Sequence, residues 1–175
     1  MLTAESFQMP RRFLPLLHKN LDSLTRAWVD SVYADRRTDL ASILSFRELV
    51  ECVPEITEEL AGLLDAGAGA DETREAARRC RDHARARFQR GVLIDEVARE
   101  LMLLRNTLSE FLWQQAPGLA LTEPREMRDA QRLTAEFFDE LIAQAILVYA
   151  SSLRPVVPTR TSVWPPPRRG RRGGP

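Results

Sequence analysis

Between Cys80 and Arg105 the chain reads CRDHARARFQRGVLIDEVARELMLLR, two stretches of helical period that each place an arginine in the stripe due for burial. A guanidinium enters an apolar interior only where other groups meet its charge and its N–H donors. The fold must therefore bring helices face to face with polar partners between them.

At about 100° per residue, Ala76, Cys80, Ala84, Arg87 and Gly91 share one narrow face, with His83 at its edge. Small residues there leave room for a neighbouring helix, and Arg87 points towards it. On the second stretch Ile94, Val97, Leu101, Leu104, Leu108, Phe111 and Leu112 form a stripe that also contains Arg105, with Glu100 on its flank. Gly91 is suited to the left-handed backbone that closes a helix. A chain reversal at Gly91 sets Arg87 level with Ala98 to Glu100, and His83 level with Leu101 to Arg105. The expectation is a half-buried polar network of His83, Arg87, Glu100 and Arg105. Two roles stay open for it: a structural network with arginine stems lying along apolar surface, or a site that senses a signal.

The rest of the chain carries the same period and no strand pattern. Residues 1–15 read as a ragged lead because Pro10 and Pro15 limit helix there. Leu17, Leu21, Leu24, Trp28 and Val32 mark a first long helix from Leu16 to Tyr33. A short turn covers Leu40 to Leu44, and Ser45 is the N-cap expected for Phe46 to Cys52. Pro54 opens a helix to Leu64, which the AGAGA run ends. Asp71 is the expected cap of a single helix reaching Gly91, followed by Ile94 to Gln115. After Pro117-Gly118 a final helix runs from the Pro124 region to Ser152. Its apolar residues Phe137, Phe138, Leu141, Ile142 and Tyr149 cover more than half the circumference, so it is either central in a bundle or shared with a partner in a homodimer.

The arrangement His83, Arg87, Gly91, Glu100 and Leu104-Arg105 resembles the signature of the RsbRD-type N-terminal domain. That domain is the input module of stress-signalling co-antagonists and of many bacterial sensor histidine kinases. Trp28, the Pro54 to Leu64 segment and the closing FFDELIAQAILVYASSL helix follow in the same order, so the likeness spans Phe13 to Leu153. The resemblance implies an all-α regulatory module without catalytic residues, a globin-like arrangement without haem being one form of it. It also implies a protein partner, a kinase or a STAS-type regulator.

Composition agrees with one all-α domain of five to six helices over 16–153: 175 residues at 44% hydrophobic can bury an ordinary core. Cys52 and Cys80 lie in separate helical patterns without zinc-ligand spacing, and are expected as free thiols of a reducing cytosol. Arg78, Arg79 and Arg81 open a second reading of Cys80 as a redox-sensitive thiol of lowered pKa. No metal set is apparent from spacing, and neither His18 nor His83 belongs to a hydrolase motif. No cofactor is expected. Haem on His83 is disfavoured by the small-residue face beside it. No 18-residue apolar run exists, so neither a membrane span nor export is read and the location is cytoplasmic.

Zero net charge conceals an asymmetry. From Leu153 onward there are six arginines and no acid, leaving 19 basic against 25 acidic residues before it. Residues 154–175, rich in Pro, Arg and Gly, read as a disordered basic tail, which nucleic acid or another anionic surface would meet. The overall expectation is a non-enzymatic signalling input domain acting by protein–protein interaction, with sensing of a small ligand open. With no effector domain read after the last helix, output in trans is one expectation. The alternatives are a truncated sensor-kinase N-terminal region and a nucleic-acid adaptor working through the tail.

Overall fold

The structure, a computed structural model, describes residues 12–119 and 124–153. These form nine α-helices, one 3-10 turn and, among the described residues, no strand. The helices are α1 Phe13–Lys19, α2 Leu21–Ala34, α3 Leu40–Ile43, α4 Phe46–Val50, α5 Val53–Ala66, α6 Ala70–Arg79, α7 Arg81–Gln89, α8 Ile94–Gln115 and α9 Pro124–Ser152. The fold is an all-α bundle, as expected. The expected tail beyond Leu153 lies outside the described residues.

More helices than the five or six expected arise from two short breaks. The first long helix divides at Asn20, whose side-chain amide donates to the Leu16 carbonyl at 2.8 Å. The helix expected from Asp71 to Gly91 divides at Cys80. Asp71 is not its cap: α6 starts one residue earlier, where the Gly69 N–H donates to Glu72 at 3.2 Å, and Asp71 pairs with Arg74 instead.

Helix α1 begins at Phe13, ahead of Pro15, for a reason remote in the chain. Asp65 of α5 accepts the backbone N–H groups of Arg12 at 2.6 Å, Phe13 at 2.8 Å and Leu14 at 3.0 Å. A borrowed carboxylate thus satisfies donors that a helix start leaves orphaned. Pro15 follows in the first turn, where its missing N–H costs nothing.

Local signals elsewhere act as their chemistry requires. Ser45 and Glu48 form a reciprocal capping box at the start of α4, the Ser45 N–H donating to Glu48 at 2.9 Å. Pro54 sits in the first turn of α5, and Gly67, with φ +59°, closes that helix. Gly91, with φ +76°, makes the reversal between α7 and α8.

Helix α9 is the centre of the bundle, packed by α8, α6, α7 and α5, while α2 lies on α8 and α1 on α5. The seam expected as core or as a shared surface is core: Phe137, Phe138, Leu141 and Tyr149 are buried and Ile142 partly so. A helix apolar over most of its girth is covered by its own chain's neighbours, with Ile142 left partly exposed. Among its described large apolar residues Ile146 and Leu147 stand exposed, as does Leu153 just beyond the helix. Tyr149 ties α9 to the α7–α8 turn, donating to the Val92 carbonyl at 2.7 Å and meeting the Phe88 ring edge-on at 5.2 Å between centroids.

Candidate functional site

The α7–α8 hairpin carries the charged centre of the core. Arg87 on α7 is wholly buried and Glu100 on α8 is 1% exposed. The Arg87 Nη2 donates to Glu100 Oε1 at 2.6 Å, and its Nε reaches both carboxylate oxygens at 3.1 and 3.0 Å. Its remaining donors turn to the last carbonyls of α4, Nη1 to Glu48 O at 2.9 Å and Nη2 to Leu49 O at 3.0 Å. Those carbonyls have no partner inside so short a helix and carry the negative end of its dipole. One guanidinium therefore joins α4, α7 and α8. The Trp28 indole N–H, donating to the Glu100 carbonyl at 3.4 Å, adds α2.

His83, one turn before Arg87, approaches the same carboxylate. Its Nε2 lies 3.4 Å from Glu100 Oε2, an ion-pair separation without hydrogen-bond geometry, and is buried without a hydrogen-bond partner. Cys52, just before α5, completes the group. Its sulfur is 3.9 Å from Glu100 Oε1, 3.8 Å from Arg87 Nη2 and 3.8 Å from the Leu49 carbonyl oxygen. The half-exposed Glu51 lies 3.6 Å from Arg87 Nη1 and links the cluster to the surface, where Arg90 binds both Glu48 and Glu51.

Burial and charge oppose each other here, and charge prevails. Burial penalises the ionised Glu100 carboxylate, but the cations His83 and Arg87 hold its pKa below the ordinary value. Burial likewise disfavours protonated His83, yet the charges of Cys52 and Glu100 raise its pKa to about 10. Arg87 is held more firmly protonated than usual against the same penalty. Burial, with the Glu100 charge added, pushes the Tyr149 phenol up to about 12.

Of the four residues expected to form the network, the fold joins His83, Arg87 and Glu100. Arg105 stands apart. It is partly exposed and pairs with Asp139 of α9 at 3.1 Å, because its long stem carries the guanidinium from the stripe to the bundle surface. Cys52 was not anticipated as a member, since no sequence spacing ties it to His83. The α4 carbonyls gave no signal at all.

Cys80 is not the activated thiol that its arginine neighbours suggested. Burial, with Glu55 and Glu59 nearby, raises its pKa to about 12. Arg78, Arg79 and Arg81 turn away to Glu75, Glu59 and Gln144. Both cysteines are free and buried.

A separate groove of about 420 Å³ opens between α1, the start of α2 and α5. It is lined by Leu14, Leu17, His18, Leu21, Thr57 and Ala61, and the Thr57 hydroxyl is buried with no hydrogen-bond partner. No helix among the described residues is long and apolar enough to cross a membrane.

No curated protein and no solved structure matches the chain. The model of the family described as the RsbT co-antagonist protein rsbRD N-terminal domain matches residues 22–160, a stretch that takes in Cys52, His83, Arg87 and Glu100, and the chain belongs to that family.

Proposed function

We propose that this chain is a non-enzymatic input domain of bacterial signalling that works in the cytoplasm by binding another protein. The observation that supports it best is the buried Arg87–Glu100 pair, which couples α4, α7 and α8 at one point. Charges buried in this way are disturbed together when any of those helices shifts, and on this reading the helix pair has two packings around them. A partner that prefers one packing moves the population towards it, and α9, tied to the hairpin through Tyr149, carries the change outward.

The family's name points to an RsbT-type regulator as that partner, and a kinase or a STAS-type protein is the wider class. Calorimetric titration of the purified chain with an RsbT-type protein from the same genome tests the reading. Saturable binding is expected, together with non-additive effects of Arg87→Met and Glu100→Gln on affinity. Independent, additive effects would remove the cluster from the mechanism, and no binding to either class of partner would sink the proposal. Light scattering in the same experiment reports whether the chain pairs with itself through the exposed Ile146–Leu147 edge of α9.

A second reading, small-ligand sensing, is favoured by the Thr57 hydroxyl at the apolar groove, because a buried hydroxyl without a partner is a ready hydrogen-bonding group for a guest. A thermal-shift screen in which hits lose their effect in Thr57→Val is its test. Hits insensitive to that change would place the ligand elsewhere.

A further inference from the structure

We propose that Cys52, His83 and Glu100 form a binding site for a transition-metal dication, zinc being the best match to the donors. The three side chains come from the α4–α5 junction, α7 and α8, and one donor atom of each lies within 4.8 Å of the others. All three are buried. A sulfur, an imidazole nitrogen and a carboxylate oxygen are the ligand types that zinc accepts, whereas calcium and magnesium call for oxygen alone. Around a zinc ion, with bonds of roughly 2.0–2.3 Å, ligand atoms stand roughly 3.3–3.8 Å apart. His83 Nε2 is 3.4 Å from Glu100 Oε2 and Cys52 Sγ is 3.9 Å from Glu100 Oε1, so each flanks one oxygen of the same carboxylate at close to that spacing.

Two features separate this group from an ordinary buried ion pair. The first is the His83 Nε2, which is buried without a hydrogen-bond partner although it faces a carboxylate. A lone pair freed at that atom has no hydrogen bond to give up and is available to a metal. The second is the Cys52 sulfur, a soft donor set within 4.8 Å of the imidazole nitrogen and the carboxylate oxygen, which an ion pair alone does not need. On binding, the sulfur and the His83 Nε2 each give an electron pair to the dication, and any proton either atom holds passes to solvent. Arg87 does not obstruct this. Its Nη2 binds Glu100 Oε1 at 2.6 Å and its Nε reaches both oxygens, so Oε2, the oxygen nearer His83, accepts one bond at 3.0 Å and keeps a lone pair for an ion.

The inference extends the input-domain reading by giving the cluster a signal, but ion binding is read on the isolated chain, so either idea can fail without the other. The test uses the full chain with cobalt(II) as a coloured probe and zinc as its competitor. The expected result is one cobalt per chain with thiolate-to-metal charge-transfer absorption, bleached by zinc. Cys52→Ser abolishes the absorption, His83→Gln weakens cobalt binding by at least about tenfold, and Cys80→Ser leaves both untouched. Should Cys52→Ser fail to fold by circular dichroism, the wild-type absorption decides together with His83→Gln. The proposal is overturned by a wild type that binds neither ion stoichiometrically, or by absorption that persists in folded Cys52→Ser or disappears in folded Cys80→Ser.

Discussion

Arg87 and Arg105 occupy equivalent places in their helices, each inside an apolar stripe, yet Arg87 is wholly buried and Arg105 ends on the surface beside Asp139. The difference lies in what waits at the end of each side chain. Arg87 meets a carboxylate on the opposing helix and two carbonyls at the end of α4, enough acceptors to replace the water it loses. Arg105 meets a single exposed carboxylate and keeps its water. A buried guanidinium is thus a property of the acceptors that other segments deliver, not of the stripe it sits in.

The largest expected effect follows from breaking the buried pair on one side. Arg87→Met leaves Glu100 facing His83 with its strongest partner gone, and a loss of about 3–5 kcal/mol in unfolding free energy is expected, read by urea denaturation. Adding Glu100→Leu to Arg87→Met removes the stranded charge as well, so the double variant is expected to recover a large part of that loss. A double variant as unstable as the sum of its parts would mean that packing around Arg87, rather than charge pairing, makes the difference from Arg105.

This contrast also explains how far the sequence could be read. Helical period, the Ser45 cap, Pro54, Gly67 and Gly91 are local signals, and they locate α4, α5 and the α7–α8 reversal within a residue or two. The pairing of Arg87 with Glu100 was legible for the same reason, since a tight turn at Gly91 fixes the register of two adjoining helices. Cys52, the α4 carbonyls and the Asp65 cap of α1 come from segments far apart in the chain, and periodicity assigns faces without saying which faces meet. Arg105 was misplaced because its position in the stripe is inward while its long side chain is not.

Next in size is a pH effect confined to the buried cluster. His83 has a folded pKa near 10 against an ordinary 6.5, so between those values the native state holds a proton that the unfolded chain has released. Its contribution is complete below pH 6.5 and is lost as the pH rises towards 10, with a slope of at most about 1.4 kcal/mol per pH unit for one proton. The groups facing it are Cys52, Arg87 and Glu100, with Glu51 beyond. His83→Gln should flatten the alkaline side of the stability profile, whereas Arg105→Gln should leave it in place. An unchanged slope in His83→Gln would show that another group carries the alkaline titration. At the acid end the sign reverses: Glu100, its pKa depressed, supports the fold above its unfolded pKa and ceases to as the pH falls through the folded one.

A smaller effect belongs to Asp65, a long-range acceptor like those around Arg87 but placed at the bundle edge. Asp65→Ala deprives three backbone donors of their carboxylate, and a cost of about 1–2 kcal/mol is expected, with amide exchange accelerated in α1 and unchanged in α8. Faster exchange throughout the chain would show that α1 is not a separate unit.

The smallest effect is expected where the comparison began. Asp139 is 71% exposed in its side chain and Arg105 27%, so the pair exchanges a Coulomb attraction weakened by water for the entropy of holding two side chains together. Arg105→Ala should therefore change stability by no more than about 1 kcal/mol, most of it from the packing of the arginine stem. Salt separates these two contributions. The ionic part fades between low and high ionic strength while the stem's part does not, so Arg105→Ala and Arg105→Met measured at both settings divide the effect. If Arg105→Ala costs as much as Arg87→Met in low salt, exposure is no guide to the worth of an arginine in this bundle, and the two positions differ in geometry alone.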